Sequence, residues 1–184
     1  MRRVRLLPVG GAALDLLDRL SGAIEDEIGV TCRVDGVADL DPGFALHPGR
    51  RQFHSSRIVE RLVPGPSDHV LGITPVDLYI PILTFVFGEA ETGGRRGLVS
   101  YCRLRQDFYG LLPDAALLEE RLLKEALHEI GHMMSLHHCD DYHCVMASSH
   151  AVEWIDVKSV TFCDRCKALR KRAEAITPGA SSAR

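Results

Sequence analysis

The stretch HEIGHMMSLHHCDDYHCVM, residues 128–146, gathers five of the chain's nine histidines and two of its six cysteines. It opens with H-E-x-x-H. On a helix of 3.6 residues per turn, His128 and His132 share one face, so both imidazoles can reach a single metal ion. Glu129 lies about 100° round the same helix, able to approach a metal-bound water without being a ligand. Two histidine ligands, an open coordination position and a carboxylate to take a proton make a hydrolytic zinc site. A third ligand is required. His138 is the natural candidate, with His137 as the alternative. In a continuing helix, ten residues at 1.5 Å would carry His138 about 15 Å along the axis from His128. The helix must therefore stop near Ser135, and the chain must double back. A serine with positive φ costs on the order of 1 kcal/mol more than glycine in that turn.

Immediately beyond His138 a second pattern begins, C139-x4-C144-x18-C163-x2-C166. Two short-spaced pairs separated by a longer loop are the signature of a structural zinc, because four thiolates close a tetrahedral shell. Two disulfides or buried free thiols are the alternatives. Cys32 and Cys102 fall singly in strand candidates and read as core residues. By chance, H-E-x-x-H alone arises roughly once in forty such chains, and with a histidine at His138 roughly once in a thousand.

Outward from the motif, Pro113-Asp114 opens the long helix that carries it. Upstream, Arg3–Val9 reads as a strand, followed by a Gly-Gly loop and an amphipathic helix over 12–28 that ends at Gly29. Val30–Val37 is a strand, residues 51–62 a short helix, and His69–Thr74, Thr84–Glu89 and Leu98–Leu104 are strands. Thr92–Gly97 connects the last two as a hairpin, which makes that pair antiparallel. A final helix runs from near Cys163 to Ala175, and 177–184 reads as a frayed tail. The whole is an α/β (α+β) layered domain with a mixed sheet.

The residues H128-E-x-x-H132-x-x-S-x-x-H138-C139-x4-C144-x-M146, then C163-x-x-C166, resemble the archaemetzincins, a metzincin-like group of zinc metallopeptidases. Weaker similarity runs through Pro8–Gly10, Gly72–Tyr79 and Phe85–Gly88, and so covers most of the chain. The resemblance implies a catalytic zinc on His128, His132 and His138, with Glu129 as general base and acid. It implies a second, structural zinc on Cys139, Cys144, Cys163 and Cys166. Met146 would be the methionine of a tight turn beneath the site. The implied fold is metzincin-like: a mixed twisted sheet, an active-site helix and a smaller zinc-stapled C-terminal subdomain. An antiparallel edge strand, Thr84–Glu89, would lie along a cleft where a substrate peptide adds to the sheet. One domain over 1–184 would divide into an upper part, 1–137, and a lower part, 138–176. Two departures stand out: Ser135 replaces the usual glycine, and no tyrosine follows Met146 closely, with His150 the nearest polar ring.

A net charge of −3 leaves no electrostatic footprint for nucleic acid, and Arg165, Lys167, Arg170, Lys171 and Arg172 read as a solvated helix face. No apolar run is long enough to span a bilayer. The apolar stretch after Arg5 is closed by Asp15 without a cleavage site, which favours a cytoplasmic protein, here expected as a monomer acting on peptides or proteins. The competing reading is a zinc-stabilised binding protein with a weak or silent histidine site.

Overall fold

The computed structural model describes residues 1, 3–36, 39–66 and 68–176. The expected frayed tail, 177–184, and Val37 at the end of the second expected strand lie outside them. The order of elements is β1 (Arg3–Pro8), α1 (Leu14–Ile28), β2 (Thr31–Val34), β3 (Leu46–His47), β4 (Gln52–His54), α2 (Ser55–Arg61), β5 (His69–Thr74), β6 (Leu78–Tyr79), β7 (Gly88–Ala90), β8 (Arg96–Ser100), α3 (Ala115–Met133), α4 (Val152–Val157) and α5 (Asp164–Ile176).

Five strands form one sheet in the order β2-β1-β5-β8-β7. The first four run parallel, and β7 is antiparallel to β8 at the edge. Side chains alternate across this sheet. Val4, Leu6, Leu71, Ile73 and Val99 join a core with α1 and α3. Leu7, Val9, Val70 and Leu98 join a second core with Ile58, Val59 and Leu62 around α2. Because both faces are covered, β5 reads as a nearly unbroken apolar run after His69, whereas β1 becomes continuously apolar only after Arg5. The mixed sheet and its antiparallel edge bear out the expected fold class.

Three boundaries differ most from the sequence reading, each because a segment elsewhere in the chain makes a competing contact. The edge strand, expected over Thr84–Glu89, is Gly88–Ala90. The carbonyls of Leu83 and Thr84 accept from the Arg50 guanidinium at 3.0 and 2.8 Å, and Gln52 also donates to Thr84 at 2.9 Å. Val86 turns to β6 instead, its N–H bonding the Leu78 carbonyl. The strand expected over Leu98–Leu104 is Arg96–Ser100, followed by a 3-10 turn at Cys102–Leu104. That turn delivers Arg103 to Asp77 as a bidentate pair at 2.6 and 2.8 Å. The helix expected over 51–62 starts only at Ser55, because Gln52–His54 pairs with β3 and β6 in a small second sheet.

Helix α3 starts where the sequence indicates. Asp114 caps it, its carboxylate accepting from the Leu117 N–H at 3.0 Å, which satisfies one of the donors a helix start leaves open. Helix α3 ends at Met133, and Ser135 adopts φ +67. The serine itself makes the left-handed turn. Ser135→Gly should therefore raise stability by roughly 0.5–1 kcal/mol with metal content unchanged, read as a shift of the denaturant midpoint. A loss of stability instead would show that the hydroxyl makes an interaction glycine cannot replace.

Candidate metal centres and active site

The turn at Ser135 brings His138 back over α3. One ring nitrogen from each of His128, His132 and His138 falls within 4.8 Å of the other two. His137, the alternative third ligand, is exposed and lies outside this cluster. His143 is occupied elsewhere: its ring nitrogen lies 3.3 Å from the Val157 carbonyl and its own carbonyl accepts from Ser159.

Two of the rings are oriented by the backbone. Nδ1 of His128 meets the Val145 carbonyl at 2.9 Å, and Nδ1 of His132 meets the Leu136 carbonyl at 2.8 Å. A carbonyl only accepts, so both Nδ1 atoms carry the proton and both Nε2 atoms carry a lone pair. These Nε2 atoms lie 3.1 Å apart. Two lone pairs at that distance repel unless a cation lies between them, and tetrahedral zinc at about 2.0 Å from each nitrogen would separate its ligands by about 3.3 Å. The donor set fits zinc. Burial lowers all three imidazoles below their usual value, His128 well below it, so they are neutral, as ligands must be.

Glu129 is buried beside them. Its Oε2 has no hydrogen-bond partner among the described residues. Burial first, then the neighbouring Glu125 carboxylate, push its pKa well above the usual carboxylate range, while the Lys158 ammonium pulls it down. Room for this side chain comes from the edge strand: a Cβ on Gly88 would lie 2.5 Å from Glu129 Oε1 and 2.8 Å from the Leu98 carbonyl. On the other side of α3, a Cβ on Gly131 would collide with Met146 Sδ and lie 3.1 Å from Phe162. Met146 is fully buried directly under the helix, in a turn closed by the bond from Ala147 N–H to the Cys144 carbonyl. The edge hairpin is tied to the same helix end, since the His132 carbonyl accepts from both Gly93 and Ser135 at 2.9 Å.

A cleft of about 650 Å³ opens over these groups. Segment 83–90 forms one wall, and Ser148, Ser149 and His150 form the opposite one. Cys139, Cys144, Cys163 and Cys166 converge a few residues from His138, their sulfurs all within 4.8 Å of one another. Cys139 and Cys163 Sγ are 3.7 Å apart. That is far beyond a disulfide at about 2.05 Å, but close to the roughly 3.8 Å edge of a ZnS4 tetrahedron. All six cysteines are free. Cys32 is buried, as expected for a core residue, and its burial pushes the thiol up to about 11; Cys102, expected as a core residue of a strand, is instead half-buried in the first position of the 3-10 turn that follows β8.

The residues 63–172 match the model of peptidase family M54. The archaemetzincin of Methanocaldococcus jannaschii is 42% identical over 89% of this chain and 90% of its own length. The chain belongs to peptidase family M54. The archaemetzincin of Pyrococcus furiosus is 36% identical over 95% and 94% of the two chains. Among solved structures, the archaemetzincin of Archaeoglobus fulgidus, crystallised with malonate, has a TM-score of 0.80 at 33% identity, over 91% of this chain and 99% of that one. That of Methanopyrus kandleri also reaches 0.80, at 34% identity over 95% and 96%. With the family comes the activity class, a zinc metallopeptidase acting on peptide or protein substrates. No helix among the described residues is long and apolar enough to cross a membrane.

The reading from sequence missed the ion pair between Lys158 Nζ and Glu125 Oε1, 2.8 Å long, with the two side chains 1% and 4% exposed. Glu125 stands one turn before Glu129 and lines the cleft. Nothing in the residues around Lys158 marks it as buried.

Proposed function

We propose that this M54 chain hydrolyses peptide bonds with two zinc ions in place: a catalytic one on His128, His132 and His138, and a structural one on Cys139, Cys144, Cys163 and Cys166. The observation that carries the catalytic site is the pair of Nε2 lone pairs facing each other at 3.1 Å beside a buried, unpartnered carboxylate oxygen of Glu129. When bound, zinc supplies Lewis-acid polarisation of the scissile carbonyl and acidifies the attacking water.

The chain's own residues do the rest. Glu129 accepts the water's proton on its carboxylate and later returns it to the leaving amine nitrogen. Its raised pKa suits both halves of that task, since a more basic carboxylate takes the proton more readily and still releases it. Phe87 and Glu91 spend their backbone groups on β8, the former accepting from Ser100 and the latter donating to Arg96. By alternation, Gly88 and Ala90 turn their N–H and C=O groups outward, where an extended substrate adds as a further strand. The cysteine site begins one peptide bond after His138 and so holds that ligand's return. In this reading the cleft divides one domain into an upper part, 1–137, and a lower part, 138–176.

Metal analysis tests the two-site model. Purified protein should carry two zinc ions per chain, with one lost in His138→Ala while the fold persists. Cys163→Ser should lose the other together with much of the thermal stability. A chelator should abolish hydrolysis and added zinc restore it. A single zinc per wild-type chain would overturn the model.

A further inference from the structure

The wall of the cleft before β7 carries apolar side chains that the fold holds out toward solvent. Ile82 is 86% exposed and Leu83 49% exposed. Leu83 and Phe85 line the cleft itself. An exposed loop rich in apolar residues ordinarily has freedom to fold back and hide them. Here it does not, because two side chains hold its backbone and a third holds one of its rings. Arg50 lies over the Tyr79 ring at 4.2 Å and spends its guanidinium on the carbonyls of Leu83 and Thr84. Gln52 adds a second bond to Thr84 and holds Asp77 at 3.0 Å. Arg103, paired with Asp77, lies 4.2 Å over the Phe85 ring.

The same pinning has a consequence for how a peptide is held. With the Leu83 and Thr84 carbonyls already taken, this stretch has little left to offer a peptide backbone by way of acceptors. Pairing by main-chain bonds belongs to Gly88 and Ala90. Segment 83–85 meets the peptide through its side chains. A peptide laid antiparallel to β7 runs toward Leu83 as it proceeds to its carboxyl end. Its residues after the scissile bond therefore pass over this shelf.

We infer that Leu83 and Phe85 form a preformed apolar subsite, selecting substrates with a large aliphatic or aromatic side chain on the carboxyl side of the cleaved bond. This rests on the peptidase reading above. The exclusion of water between two apolar side chains is the driving force, and a rigid shelf spares the ordering that a mobile loop would require.

The test uses a series of peptides of one neutral backbone, with a single guest position occupied by Leu, Phe, Ala, Ser or Asp and moved along the chain. Zinc-loaded wild-type protein is expected to cleave so that the Leu or Phe guest falls within about three residues after the new carboxyl end. Its kcat/KM should be about tenfold above that of the Ser guest. Leu83→Ser should erase this preference, bringing the Leu and Phe guests down to the level of the Ser guest, and Leu112→Ser, exposed away from the cleft, should leave the preference intact. Binding separates the two readings. By fluorescence anisotropy, Glu129→Gln protein should hold the Leu-guest peptide about tenfold more tightly than Glu129→Gln combined with Leu83→Ser. Selective binding without cleavage by the wild type would uphold the subsite and overturn the peptidase reading. Cleavage or binding with no apolar preference, a preference on the amino side, or a preference that survives Leu83→Ser would overturn the subsite, as would failure to bind any peptide of the series.

Discussion

Glu129→Gln should lower kcat by about a thousandfold, with zinc content and KM close to wild type. Glutamine keeps the shape that fits against Gly88, where 2.5 Å separates Oε1 from the site of a missing Cβ. What it loses is the capacity to accept a proton. The carboxylate is not among the three converging imidazoles, so the metal should stay. Glu125 also lines the cleft, but its Oε1 is engaged by Lys158 at 2.8 Å. It is therefore poorly placed to substitute. The measurement is steady-state hydrolysis of a quenched peptide, alongside metal analysis of the same sample. Full activity with full zinc would assign the proton to another group. A loss of both would make Glu129 a structural residue instead.

Lys158→Met should destabilise the protein by about 3–5 kcal/mol, because it leaves the Glu125 carboxylate buried without its counter-charge. Both ends of the pair are almost wholly excluded from water, so solvent screening relieves little of that penalty. The pair does not stand alone. One turn earlier on α3, Arg121 forms a bidentate bond with Asp156 at 2.7 Å, and Lys124 reaches the Asp156 carbonyl at 3.5 Å. Together they bind α3 to α4 and the segment after it. Adding Glu125→Gln to Lys158→Met removes the orphaned charge, and most of the lost stability should return. Urea unfolding of the two variants measures this. A single variant as stable as wild type would mean that water enters the site and solvates Glu125.

The candidate metal ligands were legible because their spacing is local. A histidine four residues from another on a helix shares its face whatever else the chain does, and two short-spaced cysteine pairs converge by the same logic. The requirement that α3 end near Ser135 also followed from length alone, since a straight helix would carry His138 out of reach. The edge strand was legible in kind but not in extent. Residues 84–87 have the composition of a strand, yet Arg50 and Gln52, more than thirty positions away, take the carbonyls a neighbouring strand would need. Glu125 and Lys158 were illegible for a related reason. Each reads as an ordinary surface charge, and 33 residues separate them.

The sequence by itself thus determined the chemistry: which imidazoles and thiolates can meet a metal, which carboxylate stands beside them, and where the helix must stop. Tertiary structure alone decided that Ser135 takes φ +67, that Gly88 and Gly131 leave room for Glu129 and Met146, and that the cleft wall ends in a pinned apolar shelf. Helical spacing is set by the backbone's own hydrogen bonds, within a few residues. Burial, close approach and the capture of a carbonyl by a distant guanidinium arise only when segments far apart in the chain compete for the same space.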